Sequence, residues 1–375
     1  MLRRRPRRPD APKRRSPRRC GRSGEGEAEA LRPLFLQVLG LCAKAGLVSL
    51  GRVALDGTKL LANASRHKAM SYDHIVPKIE QLQAEVDAML AEAEAIDQAE
   101  DEAYGEDRRG DEVAPELRRR ESRLEKLRAA KEAIEAEARE KAEEAAREKA
   151  TAAGKSEEEV TAAGNAAAER AKPKPSTQRS FTDPEARMMK TNHGFAYSFN
   201  AQAVVDEKSQ VVLAAEVTEE AADVNQLVPM TGKTEENLTR AGISAAPKIL
   251  LADAGYCSED NLEAAEGLKS DVLCATGRQR HGEKFQKTPR GPVPKNATRR
   301  ELMARRLRTK KGRADYARRK AIVEPAFGQV KVRQHAGQLR LRGLAGAQGE
   351  WTLHMICHNL RKLQNAGGIA SLACG

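Results

Sequence analysis

The stretch "PKILLADAGYCSEDNLEAA", residues 247–265, reads as a buried strand, a turn and a helix, and its one acid before the turn is Asp253. A short apolar run closed by a glycine turn fits a strand of a covered sheet. Asp253 could cap the helix that follows, but Ser258 is better placed to meet the free N–H groups there. The same arrangement occurs earlier in "VALDGTKLLANAS", residues 53–65, where Val53, Ala54 and Leu55 read as a short strand ending at Asp56 and a Gly-Thr pair. Taken alone, Asp56 before Gly57 is a turn-former. In a shared sheet, both acids would project from strand ends into one crevice, the place where α/β sheets usually carry their sites.

The flanking segments fit such a sheet. "FAYSFNAQAVVDEKSQVVLAAEVT" alternates in polarity around a turn at Asp206-Glu-Lys-Ser, which predicts a β-hairpin. Asp206 sits in that turn and is read as structural, while Asp223 is assigned to capping a helix through Leu227. "DVLCAT" adds a strand, and Leu34, Val38, Leu41 and Leu47 give "LRPLFLQVLGLCAKAGL" the spacing of a core helix that ends near Gly46. Strands interleaved with helices predict an α/β fold, a mixed sheet covered by helices. Between the first strand and the hairpin the texture changes. Ile75, Ile79, Leu82, Val86, Met89, Ala93 and Ile96 alternate by four and three, the seam of a coiled coil, and Leu124, Leu127, Ile134 and Ala138 continue a similar register. Gly105, Gly110 and Pro115 break the two runs into an antiparallel hairpin, and Gly164, Pro173 and Pro175 are expected to end helical structure. The expected organisation is a disordered basic tail at 1–30, a helix and first strand at 31–74, an inserted hairpin and linker at 75–175, the rest of the α/β domain at 176–365 and a flexible end at 366–375.

Only 3% of the 375 residues are aromatic and 32% are charged, so much of the chain must lie outside one core. The net charge of +12 is unevenly spread: residues 1–22 hold eleven Lys/Arg against Asp10, and residues 278–342 hold twenty-one against four acids. Such segregation favours a polyanion partner at the C-terminal half, because phosphates neutralised by Lys/Arg release condensed counterions. The Arg/Pro tail reads either as a nucleic-acid-binding arm or as translation from a wrongly chosen start. The six cysteines lack a C-x-x-C pair, which fits a reducing compartment, and no stretch has the ~20 apolar residues of a membrane span. A cytoplasmic protein is expected.

A third acid, Glu324, stands in "YARRKAIVEPAFGQVKVRQ". Pro325 places it at a helix entrance or a kink, because proline is comfortable only in a helix's first turn. Three converging carboxylates repel one another unless cations join them, and Mg²⁺ takes such oxygen ligands while keeping exchangeable waters. Two ions ~4 Å apart suit the cleavage of a phosphodiester.

Taken together, "VALDGTKLLANAS", "TDPEARMMKTNHGFAYSFNAQAVVD", "ILLADAGYCSEDNL" and "RRKAIVEPAFGQVK" with "LRGLAGAQGEWTLHMICHNLRKL" resemble a DDE transposase of the bacterial insertion-sequence type, over about residues 31–365. The resemblance implies a ribonuclease H-like catalytic domain carrying an inserted helical hairpin. It also implies that Asp56, Asp253 and Glu324 are the catalytic acids and bind two Mg²⁺ or Mn²⁺ ions. Its tyrosine-arginine-glutamate-lysine signature is matched by Tyr316, Arg319, Glu324 and Lys331, with Arg319 one position further from the glutamate than usual and Lys320 at the usual spacing, so both stand as candidates. Lys331 follows Glu324 by about two turns and would reach a phosphate. The basic stretch Arg299, Arg300, Arg305, Arg306, Lys310 and Lys311 would track DNA backbones. Partners implied are double-stranded DNA, as element ends and target, and a second copy of the chain assembled on that DNA. The protein would then be nucleoid-associated. Members of the family generally carry a longer helical region before the apolar helix, and its replacement by the Arg/Pro tail raises the reading of an N-terminally truncated copy.

Two other readings stand beside this one: a ribonuclease H-like nuclease that hydrolyses without joining, and a non-catalytic DNA-binding coiled-coil protein. His354 and His358, at i and i+4 beside Cys357, have the spacing of half a metal site, but Trp351, Met355 and Ile356 favour a packed core helix.

Overall fold

A computed structural model describes residues 24–65, 68–104, 115–192, 194–277, 291–294 and 296–367. Residues 1–23, the breaker segment 105–114, the basic run 278–290 and the last eight positions lie outside the described residues, while residues 24–30, expected to belong to a disordered tail, open the first helix.

The strands are β1 (Arg52–Leu61), β2 (Ala69–Ser71), β3 (Gln178–Ser180), β4 (Arg187–Thr191), β5 (Gly194–Asp206), β6 (Val212–Thr218), β7 (Ile249–Ala252) and β8 (Asp271–Cys274). The helices are α1 (Gly24–Lys44), α2 (Tyr72–Tyr104), α3 (Pro115–Ala152), α4 (Glu157–Arg170), α5 (Leu227–Arg240), α6 (Glu259–Ala265), α7 (Arg299–Leu307), α8 (Lys310–Tyr316), α9 (Arg318–Gly328) and α10 (Gly343–Asn365). Six strands form one mixed sheet in the order β6, β5, β1, β7, β8, and β4 shares with β6 the outer edge of the long β5. β5 runs against β1, β4 and β6, whereas β1, β7 and β8 are parallel. Helices cover this sheet, with α1 against α10, α10 and α5 over β6, and α9 over β1 and β5. Trp351, Phe199, Leu55, Leu213 and Leu39 are among the fully buried side chains of the shared core.

The predicted hairpin is present as β5 and β6, and Asp206 is structural: its buried carboxylate accepts from the backbone of Ser49, Leu50 and Lys208. α1 ends at Lys44 ahead of Gly46, whose φ of +66° suits a residue without Cβ. Its inner face is Phe35, Leu36, Val38, Leu39 and Cys42, while Leu34, expected inside, is exposed. α10 is the packed helix the sequence favours. His358 is buried in it with Nε2 against the carbonyl of Gln210, and burial pushes its pKa down to about 4.

Between β1 and β5 the chain leaves the sheet through the two-stranded ribbon of β2 and β3. Beyond it, α2 and α3 run side by side in opposite directions, with Tyr72 bonded to Glu135 and Arg120 to Glu85. Ile75, Leu82, Leu124, Leu127, Ala130 and Ile134 make a small core separate from the main one. Gly164 does not end a helix. It lies inside α4, which starts on a Ser156–Glu159 capping box, and is buried where a Cβ would meet Arg147 Cγ at 2.8 Å. The missing side chain there lets α4 lie close on α3.

Candidate functional site

β1 is longer than its apolar run suggests. It continues through Asp56 to Leu61, because β5 pairs with it from Val53 to Leu61. Asp56 is therefore mid-strand, and the strand that stops beside it is β7. The parallel register ends with Ala54 beside Leu251; continued two residues along both chains, it sets Asp56 next to Asp253, whose charge is felt at the Asp56 carboxyl. β7 stops because Asp253 turns its carboxylate onto the Gly255 N–H at 2.8 Å and opens a 3₁₀ turn over Ala254–Tyr256. The capping role that Asp253 could play is thus real, on this short turn, while Ser258 caps α6 through the Asn261 N–H.

Asp56 accepts from the Gly57 N–H at 2.9 Å and from Arg319 Nη1 at 2.9 Å. Burial raises its carboxyl to about 6; the Arg319 guanidinium opposes that rise and the charge of Asp253 adds to it. Arg319 is itself buried on the inner face of α9 beside Ile322, Val323 and Ala326, and burial lowers its pKa less than Asp56, Tyr316 and Asp253 raise it. The Tyr316 hydroxyl, at the end of α8, is pushed up to about 12 by burial. The arginine of the expected signature therefore meets the first acid, and Lys320 is exposed.

Glu324 is placed differently from the expectation. Pro325 lies well inside α9, so Glu324 is neither at a helix entrance nor in its first turn. The carbonyl of Ala321, which a proline four residues on cannot serve, accepts instead from Gln210 Nε2 at 3.1 Å. A π-helical turn, Gln329–Arg333, follows directly. Glu324 is exposed and, among the described residues, makes no hydrogen bond or ion pair. Lys331, in the π turn, reaches back to the Lys59 carbonyl on β1 at 3.2 Å, and burial lowers its pKa.

The candidate basic stretch forms α7 and the start of α8. Arg299 pairs with Glu263 and Glu266, Arg306 with Asp271, and Arg300 and Arg305 bond the carbonyls of Thr276 and Gly291. Lys310 and Lys311 are exposed and, among the described residues, unpaired.

Several residues of the site escaped sequence reasoning. Asp223 makes no side-chain cap; its carboxylate instead accepts from Asn200 Nδ2 at 2.7 Å, Gln202 Nε2 at 2.9 Å and Lys59 Nζ at 3.4 Å. Tyr256 is buried and donates its hydroxyl to Gln202 Oε1. The available signal was Asn200 and Gln202, polar residues at alternate positions of a strand that is buried on both faces.

Asp56 and Asp253 supply the hard oxygen donors a divalent cation takes, and Arg319 already holds one oxygen of Asp56. The pair fits such an ion. Among the described residues no group of three His, Cys, Asp or Glu side chains is assembled to hold one. No described helix is long and apolar enough to cross a membrane.

Comparison with curated proteins and with solved structures gave no match. The model of the transposase DDE domain family matches residues 170–360, from the end of α4 through most of α10 and so across β5, Asp253 and α9. With that match extending over half of its length, the chain belongs to the transposase DDE domain family.

Proposed function

We propose that this protein is a DNA transposase that cuts the ends of a mobile element and joins the freed 3′-hydroxyl to target DNA. The observation that carries the reading is the approach of Asp56, within β1, to Asp253, the residue that follows the neighbouring parallel strand β7, with Arg319 from α9 bonded to Asp56. The strand order β6, β5, β1, β7, β8, in which β5 alone runs counter, supports a ribonuclease H-like domain. The paired α2 and α3 support an inserted antiparallel coiled coil.

Domains of this family generally use divalent metal ions. Asp56 and Asp253 would hold Mg²⁺ or Mn²⁺, with Glu324 as third ligand. Two bound ions would supply activation of the attacking water or hydroxyl and stabilisation of the leaving oxygen. Arg319 orients Asp56 by charge and hydrogen bond. Lys331 stands beside β1, where its ammonium can turn from the Lys59 carbonyl to a phosphate. Lys310, Lys311 and Lys320 are exposed cations for the DNA backbone, while Arg299, Arg300, Arg305 and Arg306 must exchange their present partners for phosphates.

The test supplies purified protein with a pre-cleaved element end, taken from DNA flanking the reading frame, plus target plasmid and Mn²⁺. Joined product is expected from the wild type. Asp253→Asn should lose cleavage and joining by at least ~10³-fold while still shifting DNA in a gel, because a lost ligand removes transition-state stabilisation rather than phosphate contacts. Glu324→Gln should behave alike. Hydrolysis without joining would favour a nuclease, and metal-dependent cleavage surviving in Asp253→Asn would overturn the reading.

A further inference from the structure

Beneath the aspartate pair lies a second polar layer that the reaction scheme above does not use. From Asp223, at the end of the β6 connection, hydrogen bonds run to Asn200 and Gln202 on β5 and to Lys59 on β1. Gln202 passes the chain on by accepting from the hydroxyl of Tyr256, which closes the 3₁₀ turn opened by Asp253. The relay thus spans the sheet from β6 to the end of β7. Its middle members, Asn200, Gln202 and Tyr256, have no solvent exposure, so no water competes for these bonds.

The backbone leaves room for this layer in two places. A Cβ on Gly57, the neighbour of Asp56, would fall 2.5 Å from Gln202 Nε2 and 2.7 Å from Asp223 Oδ1. A Cβ on Gly255 would lie 3.0 Å from Asp253 Oδ1 and 3.5 Å from Asp223 Oδ2. Gly57 directly follows Asp56 and Gly255 lies two residues after Asp253, so beside each acid of the pair the backbone comes close to Asp223.

Resting on the transposase reading, we infer that Asp223 is a positioning residue of the site, acting through Gln202 and Tyr256 to fix the turn that carries Asp253. Asp223 does not touch DNA or metal in this role. Three donors, Lys59 and two amides, converge on its Oδ1, which suits that oxygen to orient neighbours. Groups that orient metal ligands typically control affinity or rate by ~10–100-fold when removed.

The experiment compares full-length wild type, Asp223→Asn, Tyr256→Phe and the double variant, with Asp253→Asn as control. Mn²⁺ binding is followed by calorimetry, and nicking of a supercoiled plasmid that carries the element end is followed against Mn²⁺ concentration. Tyr256→Phe keeps the ring in the core and guards against loss of fold, which thermal unfolding monitors. Each single variant should raise the half-saturating Mn²⁺ by about tenfold, with the double variant no worse than either, because residues of one relay are not additive. Unchanged Mn²⁺ dependence in both single variants, or losses that multiply in the double variant, would overturn the relay. A wild type that binds Mn²⁺ but does not nick would sink the transposase reading, with the relay still judged by binding. A wild type that neither binds nor nicks would sink both.

Discussion

At the scale of single residues the site is governed by one buried ion pair. Asp56 titrates at about 6 because burial outweighs the help of Arg319, so between its ordinary value of 3.8 and about 6 the folded protein holds a proton that the unfolded chain has released. The sign follows: this group favours the folded state below pH ~4, and the advantage is lost as pH rises through about 6. Metal binding needs the ionised form, so Mn²⁺ affinity should fall as pH drops below about 6, measured by calorimetry across that range. Replacing Arg319 with Met removes the opposing cation, and the midpoint of that fall should move to higher pH; a midpoint that stays or drops would contradict the role given to Arg319. Asp253 was legible in the sequence because an apolar run ends on it. Asp56 was legible as a residue but not as a place, since the β5 pairing that carries β1 past it is a long-range contact that no local pattern records. Asp223 was misread because an acid before a helix looks like a cap, and only the fold brings Asn200 and Gln202 to it.

Among the elements, α9 shows how a local rule can be offset from elsewhere. Pro325 removes one helical bond, and Gln210, whose φ of +59° projects it from the β5–β6 turn, satisfies the carbonyl left over. The sequence signals the proline; it carries no sign of a partner more than a hundred positions away. α4 makes the complementary case. Its capping box outweighs the glycine that was taken as a terminator, and the glycine proves to be a contact point. Gly164→Leu should push α4 off α3, and amide hydrogen exchange over 157–170 should accelerate by at least ~10-fold with that of β1, β5 and β7 unchanged. Equal acceleration in the sheet would show that the two regions do not respond separately.

For the whole molecule, the α/β class and the order of its central elements were readable because polarity alternates in strands and repeats by threes and fours in helices. The ribbon of β2 and β3 was not, being only three residues on each side and without an apolar face. Two cores with this ribbon between them predict that residues 73–176 can be replaced by an Asn-Gly turn after Tyr72 and before Thr177, leaving a folded sheet whose melting temperature stays within about 5 °C. Failure to fold would mean that α2 to α4 support the sheet. DNA retention should fall steeply with salt, with a log–log slope of about −0.9 for each phosphate contacted. Because the ribbon pins its two strands by their own register, helical turns gained or lost in α2 and α3 would leave the pairing of β1 with β5, and so the place of Asp56, unshifted.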